Sequence, residues 1–190
     1  MAANLKDLNI LLAVTGGIAA YKAVDLASKL TSEGAFVNCI LTANAQKLIK
    51  ARSFEAIITG KVLTGMWKRP SADVGGIKHI SLAQTADIVV VAPATANIIA
   101  KAANGLCDEL LSTTLCGCWR KPVLLAPAMN NNMWENPAVQ KNIATLKDMN
   151  FKTVGPETGR LACGDEAIGR MAEPAEILEH IKKIAAALEK

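Results

Sequence analysis

The sequence predicts an α/β fold with a doubly wound, mainly parallel sheet, and two observations favour this fold class. Short apolar runs alternate with helical patterns along the whole chain of 190 residues. The residues are 51% hydrophobic but only 4% aromatic, so the core consists mostly of Ala, Val, Ile and Leu. Such a core is typical of parallel strands that helices cover on both faces. The length suits a single domain over residues 1–190.

Apolar runs and helical patterns give the order of the elements. The predicted strands are "NILLAV" (9–14), "AFVNCILT" (35–42), "ADIVVVAP" (86–93), "KPVLLAPA" (121–128) and the short "FKTV" (151–154). The predicted helices begin at about Ala19 and cover 53–60, "LCDELLSTTL" (106–115), 136–149 and the chain from Glu173 onward. Asn136 followed by Pro137 is a strong start signal, and Gly60 ends the helix that Ser53 caps.

Charge and cysteine content exclude several classes of protein. The formal charge of +4 is spread along the chain, which disfavours nucleic acid as a partner. No apolar run is long enough to span a membrane, and the first residues lack the pattern of a signal peptide. Five cysteines without framework spacing indicate free thiols in a reducing cytoplasm. Cys116 and Cys118 have no second pair or nearby histidine, so no metal is expected.

The loops that follow the predicted strands carry the candidate binding residues, because ligands of such sheets bind at the carboxyl ends of the strands. In "VTGGIAAYK" (14–22), two glycines precede a helix whose amides suit a phosphate, although a plain tight turn is the alternative. The second strand ends at Thr42 and Asn44 and not at the acidic residue of dinucleotide-binding proteins. These loops therefore favour a mononucleotide over NAD.

Two later loops extend the candidate site. In "APATANIIAK" (92–101), Thr95 and Asn97 can either hold a ligand or only cap the next helix. In "APAMNNNMWENP" (126–137), an asparagine can hold a carboxylate between Met129, Met133 and Trp134, although packing alone is the alternative. A simple turn does not need three consecutive asparagines, two methionines and a tryptophan, so we favour a binding role for this loop.

One cysteine and two histidines are further candidates for a chemical role. Cys163 lies in "RLACGDEAIGRMAEP" (160–174), whose glycines and missing apolar alternation predict a mobile loop. His79, in "GIKHISLAQTAD", is either structural or an acid–base group. His180, on the polar face of the last helix, is expected to be solvated.

Together these segments resemble the homo-oligomeric flavin-containing cysteine decarboxylases. "VTGGIAAYK" is similar to the first flavin loop of that family, and "PATAN" matches most of its P-A-S-A-N-T motif, with Ile98 in place of the last threonine. "PAMNNNMW" (127–134) fits the motif P-x-M-N-x-x-M-W in full. "LACGDEAIGRMAEP" (161–174) resembles the flap that clamps the substrate, at about 157–174.

The resemblance implies a Rossmann-like flavoprotein domain that binds FMN at the subunit interfaces of a trimer or of an assembly of trimers such as a dodecamer. The implied flavin contacts are Gly16, Gly17, Ile18, Thr42, Asn44, Thr95, Ala96, Asn97, Ile98 and Ala128. The implied substrate contacts are Asn130, which would hold the carboxylate, Met133, Arg160 and Ala162. The implied catalytic residues are His79, Asn130 and Cys163.

The resemblance also implies a reaction, the decarboxylation of 4′-phosphopantothenoylcysteine to 4′-phosphopantetheine in coenzyme A biosynthesis. Oxidised FMN would take two electrons from the thiol end of the substrate, and the resulting thioaldehyde would lose carbon dioxide to give an enethiolate. His79 would act as the acid–base group, and Cys163 would supply the last proton. A phosphopantothenoylcysteine synthetase, fused or separate, is the implied protein partner.

Three other functions share features with this sequence. A peptidyl-cysteine decarboxylase would use the same flavin motifs, but the "ACG…GRM" flap favours the coenzyme A precursor. A flavin prenyltransferase has a related fold, but we would not expect it to combine "PAMNNNMW" with this flap. A non-catalytic regulatory flavoprotein would usually carry long acidic extensions, which this sequence does not show.

Overall fold

The computed structural model describes residues 5–67, 77–160 and 164–188. Its centre is a six-stranded parallel sheet in the order β3-β2-β1-β4-β5-β6. The strands of this sheet are β1 (Asn9–Val14), β2 (Phe36–Leu41), β3 (Val62–Leu63), β4 (Ile88–Ala94), β5 (Val123–Pro127) and β6 (Lys152–Thr153). A separate antiparallel hairpin is formed by β7 (Glu157–Arg160) and β8 (Glu166–Arg170). The predicted α/β class with a parallel sheet is therefore confirmed.

Helices connect the strands and cover both faces of the sheet. Their bounds are α1 (Lys22–Ser32), α2 (Ala45–Leu48), α3 (Arg52–Glu55), α4 (Lys78–Thr85), α5 (Ala96–Ala103), α6 (Leu110–Gly117), α7 (Asn131–Glu135), α8 (Pro137–Asp148) and α9 (Pro174–Leu188). A 3-10 turn, Ile18–Tyr21, precedes α1. No helix within the described ranges is both long and apolar enough to cross a membrane.

Alternate residues of the central strands belong to two hydrophobic cores, one on each face of the sheet. Along β1, Ile10 and Leu12 belong to one core, whereas Leu11 and Ala13 belong to the other. This alternation follows from the two-residue repeat of a strand. The first core includes residues of α1 and α9, and the second includes residues of α4, α5, α6 and α8. Burial on both faces explains why the strands read as continuous apolar runs.

The order of the strands reverses between β1 and β4. The chain moves from β1 to β2 and β3 on one side, and then returns to β4, β5 and β6 on the other. In open parallel sheets, the loops that leave two such neighbouring strands diverge and open a crevice at their carboxyl ends. The fold therefore places the crevice between Val14 and Ala94, the last residues of these two strands.

Some element predictions were wrong. The helix predicted over 53–60 is only the single turn of α3, because the chain must extend again to form the short edge strand β3, which the sequence analysis missed. The segment from Arg160, predicted as a loop, contains strand β8, which pairs with β7. Helices α2, α4 and α7 were also missed. The start of α8 was predicted well, since the Asn136 side chain accepts a hydrogen bond from the Ala138 amide at 2.9 Å.

Candidate active site

A cavity of about 770 Å³ lies at the crevice between β1 and β4. The loops that follow β1, β4 and β5 form its floor, and the β7–β8 hairpin with the start of α9 forms one wall. The lining residues are Gly16, Gly17, Ile18, Ala19, Tyr21, Lys22, Asp25, Thr95, Ala96, Ala128, Met129, Asn130, Met133, Arg160, Gly169, Arg170, Met171, Glu173 and Pro174. This volume is in the usual range of about 300–1,000 Å³ for ligand and cofactor sites.

Two glycines allow the loop after β1 to lie between its neighbours. A Cβ atom on Gly16 would overlap the side chain of Asn44, in the loop that follows β2. A Cβ atom on Gly17 would lie 3.4 Å from the Pro93 side chain, at the end of β4, and 3.5 Å from the side chain of Thr95, which follows β4. These three segments, residues 15–17, 42–44 and 93–95, are hereafter called the cradle.

The N-terminus of α5 supplies backbone donors next to the cradle. Thr95 occupies the N-cap position with an extended backbone, but its side chain makes no capping hydrogen bond. The first amides of a helix have no partner within the helix, so those of Ala96 and Asn97 suit an anion. The Ile98 side chain is buried in the second core, which leaves only its backbone amide for a ligand.

The loop after β5 brings an amide and apolar side chains to the cavity. The Asn130 side-chain carbonyl accepts a hydrogen bond from the Asn132 amide at 2.9 Å and so caps α7. The amino group is the end of that side chain that can donate to a carboxylate. Met133 is 48% exposed at the rim, while Met129 packs partly against the second core. Asn131, which the sequence analysis did not single out, has a buried Oδ1 without a hydrogen-bond partner among the described residues.

The β7–β8 hairpin is joined to this loop by its backbone. The Met129 amide donates to the Gly169 carbonyl at 3.0 Å. Gly169 has a φ of 143°, and a Cβ atom there would overlap the Met129 carbonyl oxygen. Only glycine fits this close approach, because L side chains rarely adopt that φ and there is no room for one.

Ion pairs hold the other end of the hairpin. Arg170 pairs with Glu157 across the two strands at 2.8 Å and with Glu173 at 3.5 Å. Lys22 pairs with the same Glu173 at 2.7 Å and thereby connects α1 to the start of α9. The hydrogen bond from Arg170 holds the pKa of Glu157 below its ordinary value. The hydrogen bond with Glu157 is the largest cause of a raised pKa at Glu176.

The structure brings many of the predicted site residues together. Those that line the cavity are Gly16, Gly17, Ile18, Thr95, Ala96, Ala128, Asn130, Met133 and Arg160. Four others lie outside its lining, namely Thr42, Asn44, Asn97 and Ile98. Among these, Asn44 contacts Gly16 in the cradle, and the Thr42 hydroxyl accepts a hydrogen bond from the Ala45 amide. Ala162 and Cys163 lie outside the described residues.

His79 is not among the residues that line this cavity. It is the second residue of α4, and its Nδ1 atom is buried without a hydrogen-bond partner in the part of the chain that the structure describes. Its neighbours Ile77 and Ile80 are 59% and 43% exposed. Ile18 and Tyr21, at the rim of the cavity, are 66% and 64% exposed. Two exposed apolar surfaces thus lie beside His79 and beside the cavity.

Several cavity residues were missed by the sequence analysis. Lys22, Arg170 and Glu173 lie in segments that were singled out for other residues. No local sequence pattern shows that Lys22 and Arg170 both pair with Glu173. Thr15, which lies behind the cavity lining, was also passed over, although it directly precedes the two glycines. A hydroxyl between a buried strand and a glycine turn is a signal that could have marked it. No group of three or more metal-ligating side chains occurs within residues 5–67, 77–160 and 164–188.

The fold and the cavity define a mononucleotide-binding α/β protein, in which neutral loops and one helix N-terminus surround the space for a phosphate. The Flavoprotein family matches residues 2–186. The chain therefore belongs to the Flavoprotein family.

Curated relatives share this sequence over nearly its whole length. The coenzyme A biosynthesis bifunctional protein CoaBC of Bacillus subtilis (strain 168) is 43% identical over 179 residues, which are 94% of this chain and 43% of that protein. CoaBC of Mycobacterium tuberculosis (strain H37Rv) is 44% identical over 168 residues, which are 88% of this chain and 39% of that protein. The chain thus spans less than half the length of these relatives.

Known structures share the fold. A cysteine-to-serine variant of PPC decarboxylase, complexed with pantothenoylaminoethenethiol, is 31% identical with a TM-score of 0.84. The match covers 97% of this chain and 100% of that one. The FMN-dependent cysteine decarboxylase SpaF is 30% identical with a TM-score of 0.80, and the match covers 96% of this chain and 99% of that one.

The residues of the cavity fit a flavin mononucleotide. The cradle and the amides of α5 suit its phosphate, because they offer backbone donors and a hydroxyl without a carboxylate. Ile18, Met129 and Met133 offer apolar surface to a ring system. The charged side chains of the lining belong to α1, the hairpin and the start of α9.

Proposed function

We propose that this chain catalyses the FMN-dependent decarboxylation of 4′-phosphopantothenoylcysteine to 4′-phosphopantetheine in the cytoplasm. One observation carries the proposal. The hydrogen bond between Met129 and Gly169 joins the hairpin to the Asn130 loop beside the cradle, so the strands that flank Cys163 border the same cavity as the flavin-type loops. The likeness to CoaBC proteins and to PPC decarboxylase supports this reaction.

Bound FMN supplies a two-electron oxidation of the substrate thiol that is later reversed, and the resulting carbon–sulfur double bond makes decarboxylation feasible. Asn130 holds the substrate carboxylate through its amino group. Its carbonyl is occupied by the Asn132 amide, which fixes the orientation of the side chain. Met133 and Ala128 contribute apolar surface beside the departing carbon dioxide. An apolar site favours loss of the charged carboxylate because it removes the water that stabilises the charge.

The hairpin closes the site over the substrate. Arg160 lines the cavity from the end of β7, and Ala162 and Cys163 follow it in the sequence. Cys163 donates the proton that completes the thiol product, and the closed hairpin excludes bulk water while the reactive intermediate exists.

His79 acts as the acid–base group at the cavity of a neighbouring copy. Its buried Nδ1 atom has no partner among the described residues, and Ile77 and Ile80 beside it are exposed. The exposed Ile18 and Tyr21 at the cavity rim offer a matching apolar surface. We therefore infer a trimer, or an assembly of trimers such as a dodecamer, in which each FMN site lies between two copies. A phosphopantothenoylcysteine synthetase, fused or separate, would supply the substrate.

The reaction is tested by spectroscopy and by carbon dioxide release under anaerobic conditions. Purified protein should be yellow, and the substrate should bleach the flavin absorption while carbon dioxide appears. The Cys163→Ser variant should bind FMN and release carbon dioxide but stop before the final product. Cys107→Ser is the matched control, because Cys107 is exposed and lies outside the cavity lining. A colourless protein that FMN cannot reconstitute, but that still turns over the substrate, would contradict the proposal.

The shared site is tested by complementation. His79→Asn and Asn130→Ala should each be inactive alone and should each retain FMN. When the two variants are coexpressed, mixed oligomers should contain sites with both residues intact, and part of the activity should return. Mixed oligomers without any activity would place His79 and Asn130 in the same copy, and a monomer in light scattering would contradict the trimer.

A peptidyl-cysteine decarboxylase is the second candidate, favoured by the likeness to SpaF. A peptide with a carboxyl-terminal cysteine distinguishes the two functions when it competes with 4′-phosphopantothenoylcysteine in one assay. We expect the phosphopantothenoyl substrate to be preferred, and preference for the peptide would replace the first proposal with the second.

A further inference from the structure

We propose that Thr15 is a positioning residue that locks the loop after β1 to the end of β4 and the N-cap of α5, and thereby sets the shape of the FMN phosphate site. The inference rests on the proposed function, because it assigns the cradle to FMN. Thr15 is 2% exposed and does not line the cavity. It therefore acts through the residues that it holds.

The Thr15 hydroxyl makes three contacts across the crevice. It donates a hydrogen bond to the Pro93 carbonyl at 2.7 Å. It also accepts one from the Thr95 amide at 3.2 Å, and the hydroxyl oxygens of Thr15 and Thr95 are 3.3 Å apart. A threonine hydroxyl has one proton and two lone pairs, so these contacts use nearly all its capacity. Little remains for a ligand, which supports positioning over direct binding.

These bonds lie beyond the last paired residues of β1 and β4. The ladder between the two strands pairs Ile10 with Ile88 and ends with Ala13 opposite Val91. Pro93 still belongs to β4, whose last residue Ala94 pairs with Pro127 of β5. The ladder therefore does not join the loop after β1 to the end of β4, and the Thr15 side chain supplies that connection at the point where the two segments would otherwise diverge.

The hydrogen bonds of Thr15 affect the shape of the cavity in two ways. The Thr95 amide donates its hydrogen bond to the Thr15 hydroxyl, so Thr95 is held in place although its own side chain makes no capping bond. The amides that follow Thr95 at the start of α5 are left open to a phosphate. Gly17 packs against Pro93 and Thr95, the two residues that Thr15 holds. A shift of Pro93 and Thr95 would therefore also move the glycine turn that faces the ligand.

The test compares three variants by FMN affinity of the apoprotein, measured by flavin fluorescence. Thr15→Val keeps the shape of the side chain but removes the hydroxyl, and we expect an FMN dissociation constant about tenfold higher, because the Pro93 carbonyl and Thr95 amide lose their buried partner. Thr15→Ser retains the hydroxyl and should stay within about threefold of the wild type. Thr114→Val is the matched control, since Thr114 is fully buried and donates to the Leu110 carbonyl at 2.7 Å away from the cavity lining.

A second readout does not depend on FMN. Hydrogen exchange of the apoprotein peptide over residues 93–99 should be faster in Thr15→Val than in the wild type, and unchanged in Thr114→Val. Equal FMN affinity of Thr15→Val and wild type would overturn the inference and leave the proposed function intact. Weakened binding by Thr15→Ser would also overturn it, because shape and not the hydroxyl would then matter. A wild type that binds no FMN would overturn the proposed function itself, and the cradle role with it.

Discussion

The cradle and the β7–β8 hairpin border the same cavity, but different forces hold them. Buried, uncharged contacts hold the cradle, with Thr15 bonded to Pro93 and Gly16 packed on Asn44. The contacts that connect the hairpin to its surroundings include the backbone hydrogen bond between Met129 and Gly169 and partly exposed ion pairs. Buried hydrogen bonds are insensitive to salt, whereas partly exposed ion pairs are screened and respond to pH. The difference suggests a rigid site for a permanent cofactor and a movable cover for a substrate that must enter and leave.

This comparison predicts that variants of the two regions separate into two classes. Changes in the cradle should alter FMN affinity, and changes in the hairpin should alter turnover or KM while FMN stays bound.

The largest effect is expected for Gly169→Ala in the hairpin. The new methyl group would overlap the Met129 carbonyl, and the φ of 143° disfavours any side chain. We expect kcat/KM to fall at least about a hundredfold while FMN affinity changes less than about threefold. Gly105→Ala is the control, because Gly105 also has a positive φ, of +66°, but has no atom within 4 Å of the added carbon. Loss of FMN from Gly169→Ala would contradict the separation of the two regions.

Gly16→Ala tests the prediction that changes in the cradle alter FMN affinity. Its methyl group would overlap Asn44 and force the loops after β1 and β2 apart. We expect the FMN dissociation constant to rise about thirtyfold, with kcat near the wild-type value once FMN is saturating. Fluorescence titration and a saturating-FMN assay measure the two quantities. Normal FMN affinity together with reduced kcat would show that the loop serves the substrate and not the cofactor.

The central fold could be predicted because its signals are local. Apolar runs gave β1, β2, β4 and β5, and Asn136 with Pro137 marked the start of α8. The positions of the cradle loops followed from the rule that ligands bind beyond the carboxyl ends of parallel strands. The short elements were harder. Strand β3 has two residues and exists through its pairing with Cys39 and Ile40, which is a long-range contact.

The hairpin and the charged wall could not be predicted for a related reason. Neither β7 nor β8 has the apolar alternation of a half-buried strand, and the positive φ of Gly164 and Gly169 is typical of loops. The two strands pair through a backbone ladder, and Arg170 also reaches Glu157 across the hairpin. Thr15 and Pro93 are 78 positions apart, so their bond is equally hidden from local patterns. The sequence analysis identified loops that line the cavity, and it missed the contacts that hold them.

A smaller effect is expected at Glu157. Its pKa is lowered by Arg170, so its stabilising contribution is present above its ordinary value of 4.5 and is lost as the pH falls through the lower pKa of the folded state. Glu176 and Lys22 also face it, and Glu176 is its hydrogen-bonded neighbour. At pH 7, Glu157→Gln should raise KM about threefold and speed hydrogen exchange of residues 157–160.

Acidification supplies the control for that variant. As the pH falls from 4.5 through the lower pKa of Glu157 in the folded state, exchange of the wild-type hairpin, corrected for the intrinsic pH effect, should approach that of Glu157→Gln. A wild type that kept its protection below that pKa would show that the ion pair of Glu157 does not hold the hairpin.

The smallest effect is that of salt, and it compares both regions in one protein. Between about 0.05 and 0.5 M salt the screening length falls several-fold, which weakens the pair of Lys22 with Glu173 and that of Arg170 with Glu157. Protection of the hairpin against hydrogen exchange should fall by less than about twofold, because both pairs are partly exposed. Protection of residues 93–99 should not change, because the bonds of Thr15 are neutral and buried. A Glu157→Gln/Glu173→Gln double variant, which lacks all three ion pairs, should lose the salt response of the hairpin. If residues 93–99 responded equally, the cradle and the hairpin would be a single unit held by charge.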